Sequence, residues 1–593
     1  MKACALRRAV YDAVMGTLPV RRTTSLLVWV AIATACDSPD TPPAPRVDEM
    51  REFVLDGPAP EAAGDDVLGD SHQSHRELLE QLATVVKQPK IKGVFLRVSG
   101  FGGAWGRSLE LRNALARVRE AKKPVHCYFD NVDNSGYALA ASSCDRISMA
   151  PTGMLALTGV RAQVVYARDL LDTLGLQAEL LQVGRFKGAA DSLTRSDMPS
   201  EVREVLSQLL DDLQANLATA VMRGRALDAA AFSGAVDGAP WAANAALEHH
   251  LIDAVAFDDE ARAKAKAASK AERVVRIPKA PGSQHVGFSD VLKAIFRGER
   301  RKASGQRIAL AYLEGTIRDG EREQGAGTVS GPFITDMRRI ADDKEIRALV
   351  LRVDSPGGSA LASDKMWHAV RRVAKRKPVI VSVGDMAASG GYYVACAGSE
   401  IFADEQSVVG SIGVVGGKIV AERLADRLGV HAVSLSRGQN AGWTNAFKPF
   451  SESEKRAILS SMNHTYETFL SRIREGRKLD MNRLGPVAEG RIMSGERART
   501  GGLVDTMGGL TQALARARSK AGLAADSPLE VWHKEPSLFG LASELLAGAD
   551  SKAPALPEGL SMLGRAARSP LVLALLNREL GPLLTLPYGL ELE

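Results

Sequence analysis

From about residue 75, apolar and polar positions along the chain fall into two alternating periods. Arg76-Glu-Leu-Leu-Glu-Gln-Leu82 carries its leucines at helical spacing and leads into Ile91-Lys-Gly-Val-Phe-Leu-Arg-Val98, an apolar run of strand length. A glycine-rich turn, Gly100-Phe-Gly-Gly103, a helical stretch to Arg119 and a second strand, Lys123-Pro-Val-His-Cys-Tyr-Phe129, follow. Helices alternating with strands that are apolar on both faces predict an α/β fold built on parallel sheet.

The same order returns from Ile346. Ile91 matches Ile346 and Gly102-Gly103 matches Gly357-Gly358 at an offset of 255; Pro124, Ser135-Gly136 and Ile147 match Pro378, Ser389-Gly390 and Ile401 at 254. Leu251-Ile-Asp253 matches Leu503-Val-Asp505 at 252. A repeat of this length implies two copies of one domain joined by a linker.

The copies differ where chemistry would sit. In the second, the strand Pro378-Val-Ile-Val-Ser-Val-Gly384 runs into Asp-Met-Ala-Ala-Ser389-Gly-Gly-Tyr-Tyr, a lone hydroxyl among residues too small to bury it. A serine at a strand-to-helix junction lies beside unpaired N–H groups that can hold a tetrahedral oxyanion. Ser389 therefore reads either as a nucleophile or as a plain helix N-cap. Val353-Asp-Ser-Pro-Gly-Gly-Ser359, at the end of the neighbouring strand, adds glycine N–H groups free to approach a carbonyl oxygen and favours the nucleophile. In the first copy the turn is Gly100-Phe-Gly-Gly103, the approach to Ser135 is Asn131-Val-Asp-Asn, and Gly410-Ser-Ile-Gly413 is replaced by Ala156-Leu-Thr-Gly159. That copy looks decayed, although Ser135 keeps a hydroxyl at the matching place. Asp354 and Asp385 read as turn-capping carboxylates.

Asp-Ser-Pro-Gly-Gly-Ser, then Ala-Ser-Gly-Gly-Tyr, then Gly-Ser-Ile-Gly resembles the signal peptide peptidase A family over roughly residues 75–520. The resemblance implies membrane-bound serine proteases using a Ser/Lys dyad on tandem Clp protease/crotonase-like domains, each a parallel-stranded spiral flanked by helices. Leu181-Gln-Val-Gly-Arg-Phe-Lys187 resembles the segment carrying the general base, which assigns that role to Lys187. Ser411 matches the hydroxyl that orients the lysine, and Gly358 and Gly390 become the oxyanion donors, with Gly357 giving the backbone its freedom. At an offset of 253 the second-half counterpart of Lys187 is Asn440, which cannot take a proton; Ser411 has apolar Leu157 as its counterpart. One composite site, a serine from one half and a lysine from the other, accounts for both losses. His368, His431 and His464 stand in no loop with a carboxylate orienter, which argues against a Ser-His-Asp triad.

Composition sets the remaining bounds. With 593 residues, 45% hydrophobic and 25% charged, the chain is globular and long enough for several domains. A net charge of +6 with no basic stripe interleaved with aromatics gives no nucleic-acid partner. The five cysteines, at 4, 36, 127, 144 and 396, have no Cys-x-x-Cys spacing, so neither a metal nor a cofactor is expected. An odd three remain beyond residue 36, which argues for buried thiols and against a disulfide framework.

Arg21-Arg22, an apolar run from Leu26 and Ala33-Thr-Ala-Cys36 resemble a lipoprotein signal with Cys36 as the lipidated residue; an uncleaved anchor is the other reading. Both place the protein at a bacterial membrane, the inner one favoured, with its domains on the periplasmic side. The expected organisation is a leader (1–36), a Pro-rich tether without fold (37–70), a first domain (71–257), a basic helical linker (258–305), a second domain (306–525) and an amphipathic tail (526–593). The function implied by the resemblance is cleavage of released signal peptides or other extended apolar peptides through an acyl-enzyme, in a homotetrameric ring. A crotonase-type acyl-CoA enzyme and a non-catalytic membrane scaffold are the alternatives.

Overall fold

Two parallel sheets, one from each half, repeat the same strand order. In the first, Arg273–Arg276, Glu49–Leu55, Ile91–Val98, Val125–Val132 and Arg146–Leu155 lie side by side and parallel. In the second, the order is Leu529–Trp532, Arg307–Arg318, Ile346–Ser359, Val379–Ala388 and Glu400–Ala403. The computed structural model describes residues 47–62, 73–277, 305–322, 327–532, 583–585 and 591–592. The leader with Cys36 and most of the expected amphipathic tail lie outside the described residues.

The tether was expected to carry no fold, yet Glu49–Leu55 is an interior strand. Its pattern is masked by Glu49 and Glu52, which are buried against Arg51 and Arg273, and against Arg262, respectively. Paired glutamates inside a strand defeat a reading based on apolar runs. The linker also departs from expectation: Asp258–Ala268 is a helix and Arg273–Arg276 an edge strand of the first sheet. Leu529–Trp532 closes the second sheet in the same way, four residues beyond the expected boundary at 525.

From Asp48 onward the chain forms one compact unit. Its halves share a core, since Ile308, Leu310, Ala348, Val350 and Ile380 of the second sheet pack in the same cluster as Leu78, Leu82, Leu111 and Leu115 on two first-half helices. Arg352, fully buried on the second sheet, donates to Glu61 Oε1 and Oε2 at 2.7 and 2.9 Å and to Glu110 Oε1 at 2.7 Å, both from the first half.

One segment changes sheets. Gln177–Val183 pairs antiparallel with Val414–Val420, placing Val183 opposite Val414. The second-half counterpart, residues 430–436, forms no strand and is exposed, with Val433 and Leu435 showing 89% and 91% of their surface.

The thiols correct a further expectation. Cys127, on a strand, and Cys144, at the end of the helix that follows, form a disulfide with Cα atoms 5.8 Å apart, leaving Cys396 free and buried. The odd count meant one pair and one spare.

Candidate active site

Ser389 stands where the strand Val379–Ala388 meets the short helix Gly390–Ala395, fully buried, with φ +53° and ψ −113°. Positive φ is uncommon for a residue with a Cβ; here the backbone is held on both sides, with Ser389 N–H donating to Gly410 O at 2.7 Å and Tyr393 N–H donating to Ser389 O at 2.8 Å. Small neighbours are what allow this. A Cβ on Gly390 would come within 2.6 Å of Ser363 Oγ and 3.1 Å of Gly357 Cα, and one on Gly391 within 2.6 Å of Ser355 O. The helix N-terminus therefore abuts the Ser-Pro-Gly-Gly segment, which was expected as a turn but continues the strand Ile346–Ser359.

Lys187 follows the migrating strand by four residues. Its Nζ lies 2.8 Å from Ser389 Oγ, 2.9 Å from Ser411 O and 3.1 Å from Ser411 Oγ. The side chain is fully buried, and burial alone pushes its amine well below the ordinary 10.5. A neutral amine has two N–H groups and one lone pair. With both N–H groups on Ser411, the lone pair faces Ser389 Oγ, whose O–H donates to it. Ser411 is itself pinned, at φ +54°, by its N–H on Arg491 O at 2.5 Å. A Cβ on Gly413 would come within 3.0 Å of Lys187 Cδ, and one on Gly490 within 2.3 Å of Lys187 Cα, so glycines wall the lysine channel.

Ser389, Lys187, Ser411, Gly357, Gly358 and Gly390 are thus brought together, while Asn440 lies out in solvent. Among the described residues no histidine hydrogen-bonds Ser389, and no cluster of His, Cys, Asp and Glu could hold a metal ion. In the first half Ser135 Oγ donates to Asp133 Oδ1 at 3.0 Å, and the same carboxylate accepts from Gly136 N at 2.7 Å and Gly102 N at 2.9 Å. An internal carboxylate already occupies the glycine N–H groups there, and among the described residues no amine hydrogen-bonds the Ser135 hydroxyl.

Sequence reasoning missed two features. Neither carboxylate caps a turn as expected: Asp354 lies within the strand Ile346–Ser359 and accepts from Met386 N on the neighbouring strand at 3.0 Å, and Asp385 reaches into the other half, to Arg107. Leu583–Thr585, from the tail, lies antiparallel on Gly357–Ser359 and also pairs with Val415. No local signal in either stretch announces a partner so distant in sequence.

Tandem Clp/crotonase-like domains that bury a serine hydroxyl against a lysine amine define a serine hydrolase. The pattern of peptidase family S49 matches residues 117–272 and 371–524, just over half of the chain and once in each domain. The chain belongs to peptidase family S49 and is a serine peptidase. It is similar to Protease 4 of Salmonella typhi, 29% identical over 90% of this chain and 87% of the relative, and to Protease 4 of Haemophilus influenzae, 28% identical over 74% and 72%. It is also similar to the chloroplastic serine protease SPPA of Arabidopsis thaliana, 28% identical over 75% of this chain and 66% of the relative. The acyl-CoA and scaffold alternatives give way to peptide hydrolysis.

Proposed function

We propose that the protein is a membrane-tethered endopeptidase that cleaves extended apolar peptides, released signal peptides among them, with Ser389 as nucleophile and Lys187 as general base. The observation that carries this reading is the buried 2.8 Å contact between Lys187 Nζ and Ser389 Oγ. Ser389 Oγ attacks the scissile carbonyl carbon as its proton passes to Nζ. The C–N bond then breaks, Lys187 returns the proton to the leaving amine, and an ester to Ser389 remains. Water, deprotonated by Lys187, attacks the ester and restores the serine. Gly358 and Gly390 are assigned to the oxyanion.

An extended substrate is supported by the tail strand on Gly357–Ser359, since an edge that accepts one extended backbone suits another. The membrane tether is assigned to the leader and Cys36; among the described residues no helix is long and apolar enough to cross a membrane. With that tether, the reading puts its domains on the periplasmic side of a bacterial inner membrane.

The homotetramer rests on the repeat. Within the chain, 177–183 of the first half pairs with 414–420 of the second. Their counterparts, 430–436 and 160–166, make no such pair with each other, and the former is exposed, with Val430, Val433 and Leu435 alternating with polar His431, Ser434 and Ser436. The same ladder formed between copies would be heterologous, and the proposed tetramer is the case in which its rotation closes after four copies.

The test is peptide hydrolysis by the wild type, Ser389→Ala and Lys187→Ala, with native mass measured alongside. Loss of at least about 1,000-fold in both variants at unchanged assembly supports the dyad. An active Lys187→Ala places the base elsewhere.

A further inference from the structure

The strand that delivers Ser389 is out of step with its neighbour. Val353 is paired with Val383 and Ser355 with Ala387, so Asp354 alone faces three residues, Gly384, Asp385 and Met386. Two additional residues on the nucleophile strand advance everything after them by roughly 6–7 Å relative to an unbulged ladder. Where Ser389 falls against Gly358 is therefore set by this bulge. Asp354 stands four residues before Gly358 and Asp385 four before Ser389.

The other half of the molecule holds the bulge. Asp385 Oδ1 accepts from Arg107 N at 2.9 Å, and Oδ2 accepts from Arg107 Nε at 2.5 Å. Arg107 Nη2 lies 3.8 Å from Asp354 Oδ2, and Nη1 donates to Ala59 O at 2.7 Å. Arg107 is in the first turn of the helix Trp105–Glu120, whose N-cap residue, Ala104, offers no side-chain acceptor. Asp385 supplies that acceptor from the other half. The approach is close: a Cβ on Gly106 would come within 2.6 Å of Gly384 O, the oxygen that also accepts from Ser407 Oγ at 2.7 Å.

Arg107 is thus the cation between two carboxylates on adjacent strands. Burial, reinforced by the charge of Asp385, pushes the Asp354 carboxyl well above its ordinary range, while Arg107 pulls it down. Without the guanidinium nothing in this contact would tie Asp385 to Asp354 across the bulge. The clamp accompanies only the live serine, since the first-half position matching Asp385 is Asn131, whose amide oxygen accepts from Met154 N.

We propose that Arg107 is a positioning residue for hydrolysis: by gripping Asp385 and Asp354 across the bulge it sets where Ser389 stands relative to the Gly357-Gly358 segment. This rests on Ser389 being the nucleophile. The first half then contributes two things to the second half's serine, a base and a jig.

The experiment uses the full chain with Arg107→Ala, Arg107→Lys and Asp385→Asn, with rates referred to the concentration of serine titrated by a fluorophosphonate. Arg107→Ala is expected to lower kcat per titrated site by about 100-fold, the scale of a misplacement near 1 Å, with KM within about threefold. Arg107→Lys is expected to recover at least about a tenth of wild-type kcat, and Asp385→Asn to add little to the loss in Arg107→Ala, because both break one clamp. A rate per titrated serine within about twofold of wild type in Arg107→Ala, or a loss wholly explained by fewer titratable sites, overturns the proposal. Wild-type protein that takes no label on Ser389 overturns the nucleophile assignment and this proposal together. Labelled wild type with an unimpaired Arg107→Ala overturns this proposal alone.

Discussion

Lys187 and Ser389 are 202 positions apart in the chain and 2.8 Å apart in space. Among the described residues the hydrogen-bond partners of Lys187 Nζ are Ser389 and Ser411 alone, so no carboxylate stabilises its ammonium form. A lysine so placed gives up its proton to the solvent easily, which is what a base requires and what a folded chain ordinarily avoids.

That conflict can be read out in stability. Because burial holds the Lys187 amine well below 10.5, kcat/KM should rise with pH through the depressed value. The unfolded lysine titrates near its ordinary value, so between the two the unfolded chain binds one more proton than the native one. Stability from this group therefore rises with pH across that window, by about 1.4 kcal/mol per unit. Lys187→Met should abolish hydrolysis, flatten this slope and be more stable than wild type at pH 7. Urea unfolding across pH is the check; identical slopes in the two proteins would contradict it.

Gly358→Ala should damage both fold and activity. The residue has φ +154°, and a Cβ there would come within 2.0 Å of Ile317 O on the neighbouring strand. A loss of roughly 1–3 kcal/mol from backbone strain alone is expected, together with at least about 100-fold in kcat if an oxyanion donor is displaced. Gly102→Ala, in the matching segment of the first half, meets nothing within 4 Å; at φ +52° it should cost stability through backbone strain but leave kcat within about threefold. Steady-state kinetics and thermal melting of both variants separate the halves.

Arg352→Leu should cost about 3–5 kcal/mol, because Glu61 and Glu110 would be left buried without their counter-ion. Adding Glu61→Gln to it should recover part of that loss. Denaturant midpoints test this; additive effects of the two substitutions would show that the groups act separately.

Removal of residues 583–593 should raise kcat/KM for peptides by several-fold, since Leu583–Thr585 covers the backbone edge of Gly357–Ser359. Unchanged kinetics in the truncated protein would mean that the tail and the substrate do not compete.

Much of this arrangement is legible along the chain because it is local. Apolar runs mark the strands around Ile91 and Ile346, and the clustering of glycine, alanine and serine marks the segments that must approach backbone closely. The composite site was legible for another reason: the segment ending at Lys187 resembles the family's base-bearing stretch, and the repeat exposes what each copy lacks. What escaped reading depends on partners far away in sequence. Glu49–Leu55 looks like an acidic tether until Arg273 and Arg262 are brought to it, and Glu61 has no evident purpose until Arg352 arrives. Asp385 resembles any turn carboxylate, and only the fold delivers Arg107 to it.

The strand Gln177–Val183 has a consequence for how the molecule could be taken apart. It is stitched by backbone hydrogen bonds into the sheet of the other half, opposite Val414–Val420, and the lysine it carries forward belongs chemically to that other half. Covalent continuity between residues 277 and 305 adds nothing to this attachment. Cutting the chain there should yield two fragments that remain together and keep working, whereas either fragment produced alone would hold half of a reaction. The halves behave as a bonded pair of subunits that happen to share one polypeptide.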